Sequence, residues 1–215
     1  MNAVFDNADA LIRAFMMTLE LTLLSAALSL VLGTVLATLR VSPVPLLRAV
    51  GTVYVGVIRN TPAVVMLYFS VFLLPQLGFR QSFFILALIG ITVYYGAFFC
   101  EAVRSGLNSV PAGQAEAARS IGLTFTQSLR SVVLPQALRA IIPPLINVFI
   151  AVTRTSSVAG AFGVVELFAT MGRLANQNAS AVIPILLATA FMYLLITIPA
   201  GLIAGGVERK VRFSR

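Results

Sequence analysis

The chain has 215 residues, 59% of them hydrophobic and 10% charged, and a formal net charge of +8; its mean hydropathy is +0.99. A soluble domain is about 45–50% apolar and about 25% charged, so the composition excludes one and describes a membrane protein. With no histidine and a single cysteine, Cys100, an intramolecular disulfide and metal-ligand spacings are excluded too.

A helix crosses a bilayer core with about 20 mainly apolar residues. Five such runs occur, at 14–39, 50–79, 83–100, 141–165 and 181–206. None alternates with the two-residue period of a membrane β-barrel strand, and helices suit lipid because they bond their own backbone. The expected fold is an all-α integral membrane protein with five transmembrane helices. No tandem repeat and no Pro/Gly/Ser-rich linker divides it, so residues 1–215 read as one transmembrane domain.

The opening "MNAVFDNADALIRAFMM" places Asp6 and Asp9 before Arg13, and the run that follows is too long for a signal-peptide core. It reads as a retained first span, with Glu20 one to two turns inside it. Pro43 and Pro45 in "RVSPVPLLR" mark the next turn, and "PQLGFRQS" marks the turn after the second run. Within that run, Arg59 opens "RNTPAV". It is intramembrane if the helix begins near 50, or snorkels at the inner surface if the helix begins near 61. Pro62 interrupts helical bonding, and discontinuous helices often frame transport sites. The third run ends at Cys100, read as a small packing residue. Glu101 then opens a polar segment, spaced to pair with Arg104 at i, i+3.

That segment, 101–140, is too polar for lipid and carries helical punctuation of its own. Ser109 is a candidate N-cap, Pro111 stands in the first turn, good helix formers run through Arg119, and Gly122 is a stop. Thr124 caps a second short helix that Pro135 ends or kinks before the fourth run. Phe125, Leu129, Val132 and Val133 give this helix one apolar face, suited to the bilayer or to a partner's groove.

With the N-terminus outside, 40–49, 101–140 and 207–215 fall in the cytoplasm. They hold Arg40, Arg48, Arg104, Arg119, Arg130, Arg139, Arg209, Lys210, Arg212 and Arg215, against Arg13, Arg80 and Arg173 outside. This bias fixes the C-terminus in the cytoplasm and explains the basic balance without nucleic acid.

In the fourth run Arg154 lies near mid-membrane in "AVTRTSSVAG", among Thr153, Thr155, Ser156 and Ser157. An ionisable group at that depth costs about 2.5–3.5 kcal/mol on insertion scales, which makes it a functional candidate. The cluster reads either as a helix–helix contact of small hydroxyl residues or as a substrate path with Arg154 as a carboxylate site. Glu166 closes the run on the outer side in a structural role. The chain has no G-x-S-x-G nucleophile elbow, and its one lysine, Lys210, lies outside any G-x-x-x-x-G-K-[ST] phosphate loop. It reads as non-catalytic, driven by an ion gradient or by a partner.

"EAARSIGLTFTQSLRSVVLP" resembles the cytoplasmic EAA motif of permease subunits of binding-protein-dependent ABC importers, through Glu116, Ala117, Ala118, Gly122, Leu134 and Pro135. Val132 stands where the motif has isoleucine. "TLELTLLSAALSLVLGTVLA", "VGVIRNTPAVVMLYF", "LPQALRAIIPPLINVFI" and "VERK" are similar, in order, to blocks of the polar amino acid subfamily. The resemblance implies an inner-membrane permease paired with itself or a homologue, an extracytoplasmic amino-acid-binding protein, and two cytoplasmic ATPases. Those ATPases bind the ATP and Mg, with no cofactor in this chain. It also implies that the short helix of 101–140 couples to the ATPase, and that Arg59, Thr61, Arg154, Thr155, Ser156 and Ser157 are substrate-path candidates. Where many relatives have Phe-Arg-Gly-Thr-Pro and Lys-Asp-Thr-Ser-Leu, this chain has Ile58-Arg59-Asn60-Thr61-Pro62 and Arg154-Thr155-Ser156-Ser157-Val158. Loss of that carboxylate disfavours a cationic amino acid, so glutamate, then aspartate or glutamine, is expected over arginine, lysine or histidine. The competing readings are an ion-coupled secondary carrier, for which only Glu20 is available as an ion-relay carboxylate, and a non-transporting scaffold.

Overall fold

The computed structural model describes residues 2–212; Arg215 and the side chains of Lys210 and Arg212 lie outside the description. Every described element is helical. In order they are α1 (Asn2–Asp6), α2 (Ala8–Arg40), α3 (Pro45–Arg59), α4 (Ala63–Gln76), α5 (Phe83–Asn108), α6 (Ala112–Ser120), α7 (Phe125–Phe162), α8 (Leu167–Gln177) and α9 (Val182–Arg212). Helices α2, α5, α7 and α9 are each long and apolar enough to cross a membrane, and α3 with α4 forms a fifth candidate bent by 104°.

The bundle is built on α5, which packs along α2 on one side and α7 on the other, with α9 against α7. Lipid tails remove the hydrophobic reward for helix association, so packing depends on close approach of small residues. Thr18, Thr22, Ser25, Ser29 and Gly33 recur at helical spacing along α2 and are all buried. At Gly106 of α5 a Cβ would stand 2.8 Å from the backbone of Ile141 on α7, so only glycine fits. Leu21, Leu67, Ile91, Phe99 and Val152 fill the space between.

The interruption expected at Pro62 is a full break: α3 stops at Arg59, and Pro62 adopts extended backbone (φ −63°, ψ 139°) as the N-cap of α4. Thr61 is held out of helical backbone by the proline that follows it, which explains the break.

One expectation is corrected at Pro135, which does not end its helix: α7 runs from Phe125 to Phe162 and fuses the second short helix with the fourth run. A π turn at Leu129–Val133 contains Ser131, whose carbonyl the Pro135 ring would otherwise strike. The same device, a π turn at Phe69–Leu73, precedes Pro75 in α4.

Ser109 is not an N-cap. Helix α5 continues past Cys100 to Asn108 with Ser109 as its C-cap, and Pro111 in extended backbone starts α6. The fourth run closes earlier than 165, at Phe162, and Gly163 (φ +95°) turns the chain so that Glu166 becomes the N-cap of α8.

Candidate functional site

One end of the bundle gathers three arginines around one carboxylate. Arg40 finishes α2, Arg59 finishes α3, and Glu101 with Arg104 lies on the last two turns of α5. Arg40 Nη1 donates to Glu101 Oε1. Arg59 Nη1 lies 3.4 Å from the same oxygen, and Arg104 Nη1 lies 3.9 Å from Oε2. The Arg59 guanidinium also sits 5.6 Å from the centre of the Phe98 ring, within cation–π range. Between α3 and α5, Arg40, Arg59, Phe98 and Glu101 border an open cavity of about 390 Å³, lined further by Asn60, Thr52 and Gly56.

The helix break shapes this cavity. The Asn60 side-chain amide donates to the Gly56 carbonyl (2.7 Å) and the Thr61 hydroxyl to the Val57 carbonyl (3.0 Å), closing the last turn of α3. Arg59 thus belongs to the charged end of the bundle, beside Arg40 and Glu101.

Arg154 is elsewhere, exposed on α7. Each hydroxyl around it spends its proton inside the protein. Thr153 donates to Phe149 (3.0 Å), Ser156 to Thr153 (2.8 Å) and Ser157 to Arg154 (2.6 Å), in each case to the carbonyl. Thr155 is 2.6 Å from the Tyr95 hydroxyl, which itself donates to the Ala151 carbonyl at 3.0 Å. A carbonyl can only accept, so the Tyr95 proton goes there and Thr155 donates to Tyr95. What remains on this stretch is acceptor lone pairs beside the donors of Arg154.

The segment 112–128 stands apart from both. Glu116, Ala117 and Gly122 are exposed while Ala118 is buried. Gly122 takes φ +89°, the left-handed backbone that lets α6 stop and the chain reverse. Thr124 and Gln127 then form a capping box that starts α7. Ile121 and Phe125 project from the turn at 79% and 71% exposure. Leu134 and Pro135 lie further up α7, also exposed.

Residues 29–213 match the sequence profile of the family described as Binding-protein-dependent transport system inner membrane component. The chain belongs to that family. Its permease relatives include the glutamate transport system permease protein GluC of Corynebacterium efficiens, 39% identical over 96% of both chains. The probable glutamine ABC transporter permease protein GlnM of Bacillus subtilis is 34% identical, covering 98% of this chain and 97% of that one. A crystal structure of an amino acid ABC transporter with histidines superimposes with a TM-score of 0.87 at 27% identity, covering 96% of each chain.

Of the permease residues singled out in sequence, the structure joins Arg59 to Glu101 and leaves Arg154 apart from that cluster. Sequence reasoning missed Arg40, Phe98 and Asn60 as neighbours of Arg59. A weak signal was present, since Phe98 and Glu101 stand three apart and share a helix face. Tyr95 gave none, because its partner Thr155 is sixty residues away.

Proposed function

We propose that this permease forms part of the translocation path of an ATP-driven amino-acid importer in a bacterial inner membrane. It crosses the membrane five times, with α3–α4 as the broken second span, the N-terminus outside and the C-terminus cytoplasmic. The observation that carries the reading is the build of residues 112–162. An exposed helix, a left-handed glycine and a capped turn are joined without interruption to a helix that reaches Arg154. A partner pressing on Glu116, Ala117, Ala118 and Gly122 would move the base of α7 directly, with Leu134 and Pro135 above the π turn.

The partners are two cytoplasmic ATPases that bind ATP and Mg, a second permease, identical or homologous, and an extracytoplasmic binding protein. Arg59, Thr61, Arg154, Thr155, Ser156 and Ser157 border the substrate path. Glutamate is the favoured substrate, on the neutral Thr155 and on relatives named for glutamate and glutamine transport. Proteoliposomes carrying the complex should take up glutamate with ATP and not with an ion gradient alone. Gradient-driven uptake without ATP would establish a secondary carrier instead, and no uptake under either condition would favour a scaffold.

A further inference from the structure

Two prolines in this chain share one construction. In α4 the Leu74 N–H donates to the Phe69 carbonyl, and in α7 the Leu134 N–H donates to the Leu129 carbonyl. In each case the donor leucine opens a Leu-Pro-Gln triplet, with Pro75 or Pro135 at its centre. A bond across five residues takes up one residue more than an α turn, and it moves aside the carbonyl that the proline ring would strike. The surroundings differ. Helix α4 ends at Gln76, one residue past its proline, whereas α7 runs on to Phe162 and carries α6 at its base. Helix α6 packs on the π turn of α7, with Ala118 buried. The Gln136 side-chain amide donates to the Val132 carbonyl at 2.8 Å, a further clasp on the same turn.

The extra residue decides which way that base faces. Nine positions separate Ser128 from Ala137, and both are buried. On an uninterrupted α-helix of about 3.6 residues per turn they would point about 180° apart. Absorbing one residue in the π turn reduces the angle to about 80°. We infer that Pro135 is a positioning residue that locks the rotational register of α7, holding α6 and its turn about 100° round the helix from where a plain α-helix would carry them. This deepens the importer reading and rests on it, because the segment being aimed is the one proposed to receive the ATPases. With alanine at 135 an N–H becomes available to the Ser131 carbonyl, the α turn closes, and the base of α7 rotates with α6 upon it.

The test uses the permease–ATPase complex in nanodiscs, spin-labelled at Arg48→Cys on α3 and Gln114→Cys on α6 in a Cys100→Ala background; both labelled positions are exposed. Pro135→Ala should shift the distance between the labels and lower ATP-driven glutamate uptake about tenfold, the size of an ordinary coupling free energy. Deleting Ser131, exposed within the π turn, from the Pro135→Ala variant leaves a plain α-helix with the original register. Distance and uptake should then both return to their wild-type values. A helix merely weakened by losing its proline would not be repaired by losing a residue as well. An unshifted distance in Pro135→Ala, a shifted distance with wild-type uptake, or a deletion that fails to restore either would overturn the proposal. The importer reading fails separately, if the unaltered complex shows no ATP-driven uptake, and the distances still decide whether Pro135 sets the register.

Discussion

Glu101 and Glu166 are both acids held by helix ends, and they are treated in opposite ways. Glu166 is fully buried. Its Oε1 accepts from the Ala169 backbone (2.7 Å), and its Oε2 from the Phe168 backbone (2.9 Å) and the Tyr193 hydroxyl (2.6 Å). The next backbone N–H, that of Leu167, goes to Thr18 on α2. These bonds tie the start of α8 to α2 and α9, and the helix dipole favours the negative charge there. Glu101 faces three guanidiniums and stays partly open to a cavity. A carboxylate saturated by neutral donors holds shape, while one with capacity in reserve can exchange partners.

The largest expected effect breaks this comparison at its structural end. Glu166→Ala leaves a phenol and two backbone N–H groups buried without acceptors, and each such group costs about 1–3 kcal/mol. A loss of roughly 3 kcal/mol or more follows, read as a lowered unfolding midpoint in micelles. Glu101→Gln keeps an acceptor for Arg40, and the pairs it alters stay partly open to water, with Glu101 33% and Arg59 46% exposed, so the midpoint should fall by clearly less than for Glu166→Ala. Equal shifts for the two would show that Glu101 is structural as well.

Arg154→Ala comes next. An exposed arginine makes little contribution to folding, so expression and midpoint should stay unchanged while the maximal transport rate falls by about tenfold. An unaltered rate would assign the stretch to helix packing. Tyr193→Phe is smaller again. It removes one of the bonds to Glu166 and should cost about 1 kcal/mol in the same unfolding measurement; no shift would mean that the backbone donors alone secure the carboxylate.

What could be read in the sequence follows the range of the interactions. The cap at Thr124 depends on residues a few positions apart and forms as expected, whereas the apolar runs marked where helices lie but not that α5 and α7 extend beyond them. Pro62 is also local, and its interruption was legible although the size of the bend was not. The fusion of the second short helix into α7 was missed because proline's penalty was applied without the π turn that relieves it. The charged cluster was legible only as parts: Arg59 as a cation of uncertain depth, Glu101 as a neighbour of Arg104. Its assembly needs α2, α3 and α5 to converge, and no periodicity within one helix encodes that convergence. Glu166 stood in view as a helix-end acid, but its bond to Tyr193 spans α8 entirely.

A small effect on stability separates a third kind of region from these two carboxylates. Residues 112–128 owe their shape to the left-handed Gly122 and the Thr124–Gln127 box rather than to burial. Gly122→Ala places a Cβ in left-handed backbone at a cost of roughly 1–2 kcal/mol. The turn can open into water and relieve that strain with little of the bundle following, so the unfolding midpoint should shift by less than Tyr193→Phe shifts it. The cost should reappear in assembly, because a partner groove that accepts α6 in one orientation must restore the strained turn on binding. Co-purification of the ATPases should therefore weaken by about tenfold, the free-energy equivalent of that strain. Full assembly with Gly122→Ala would place the docking surface outside α6 and its turn.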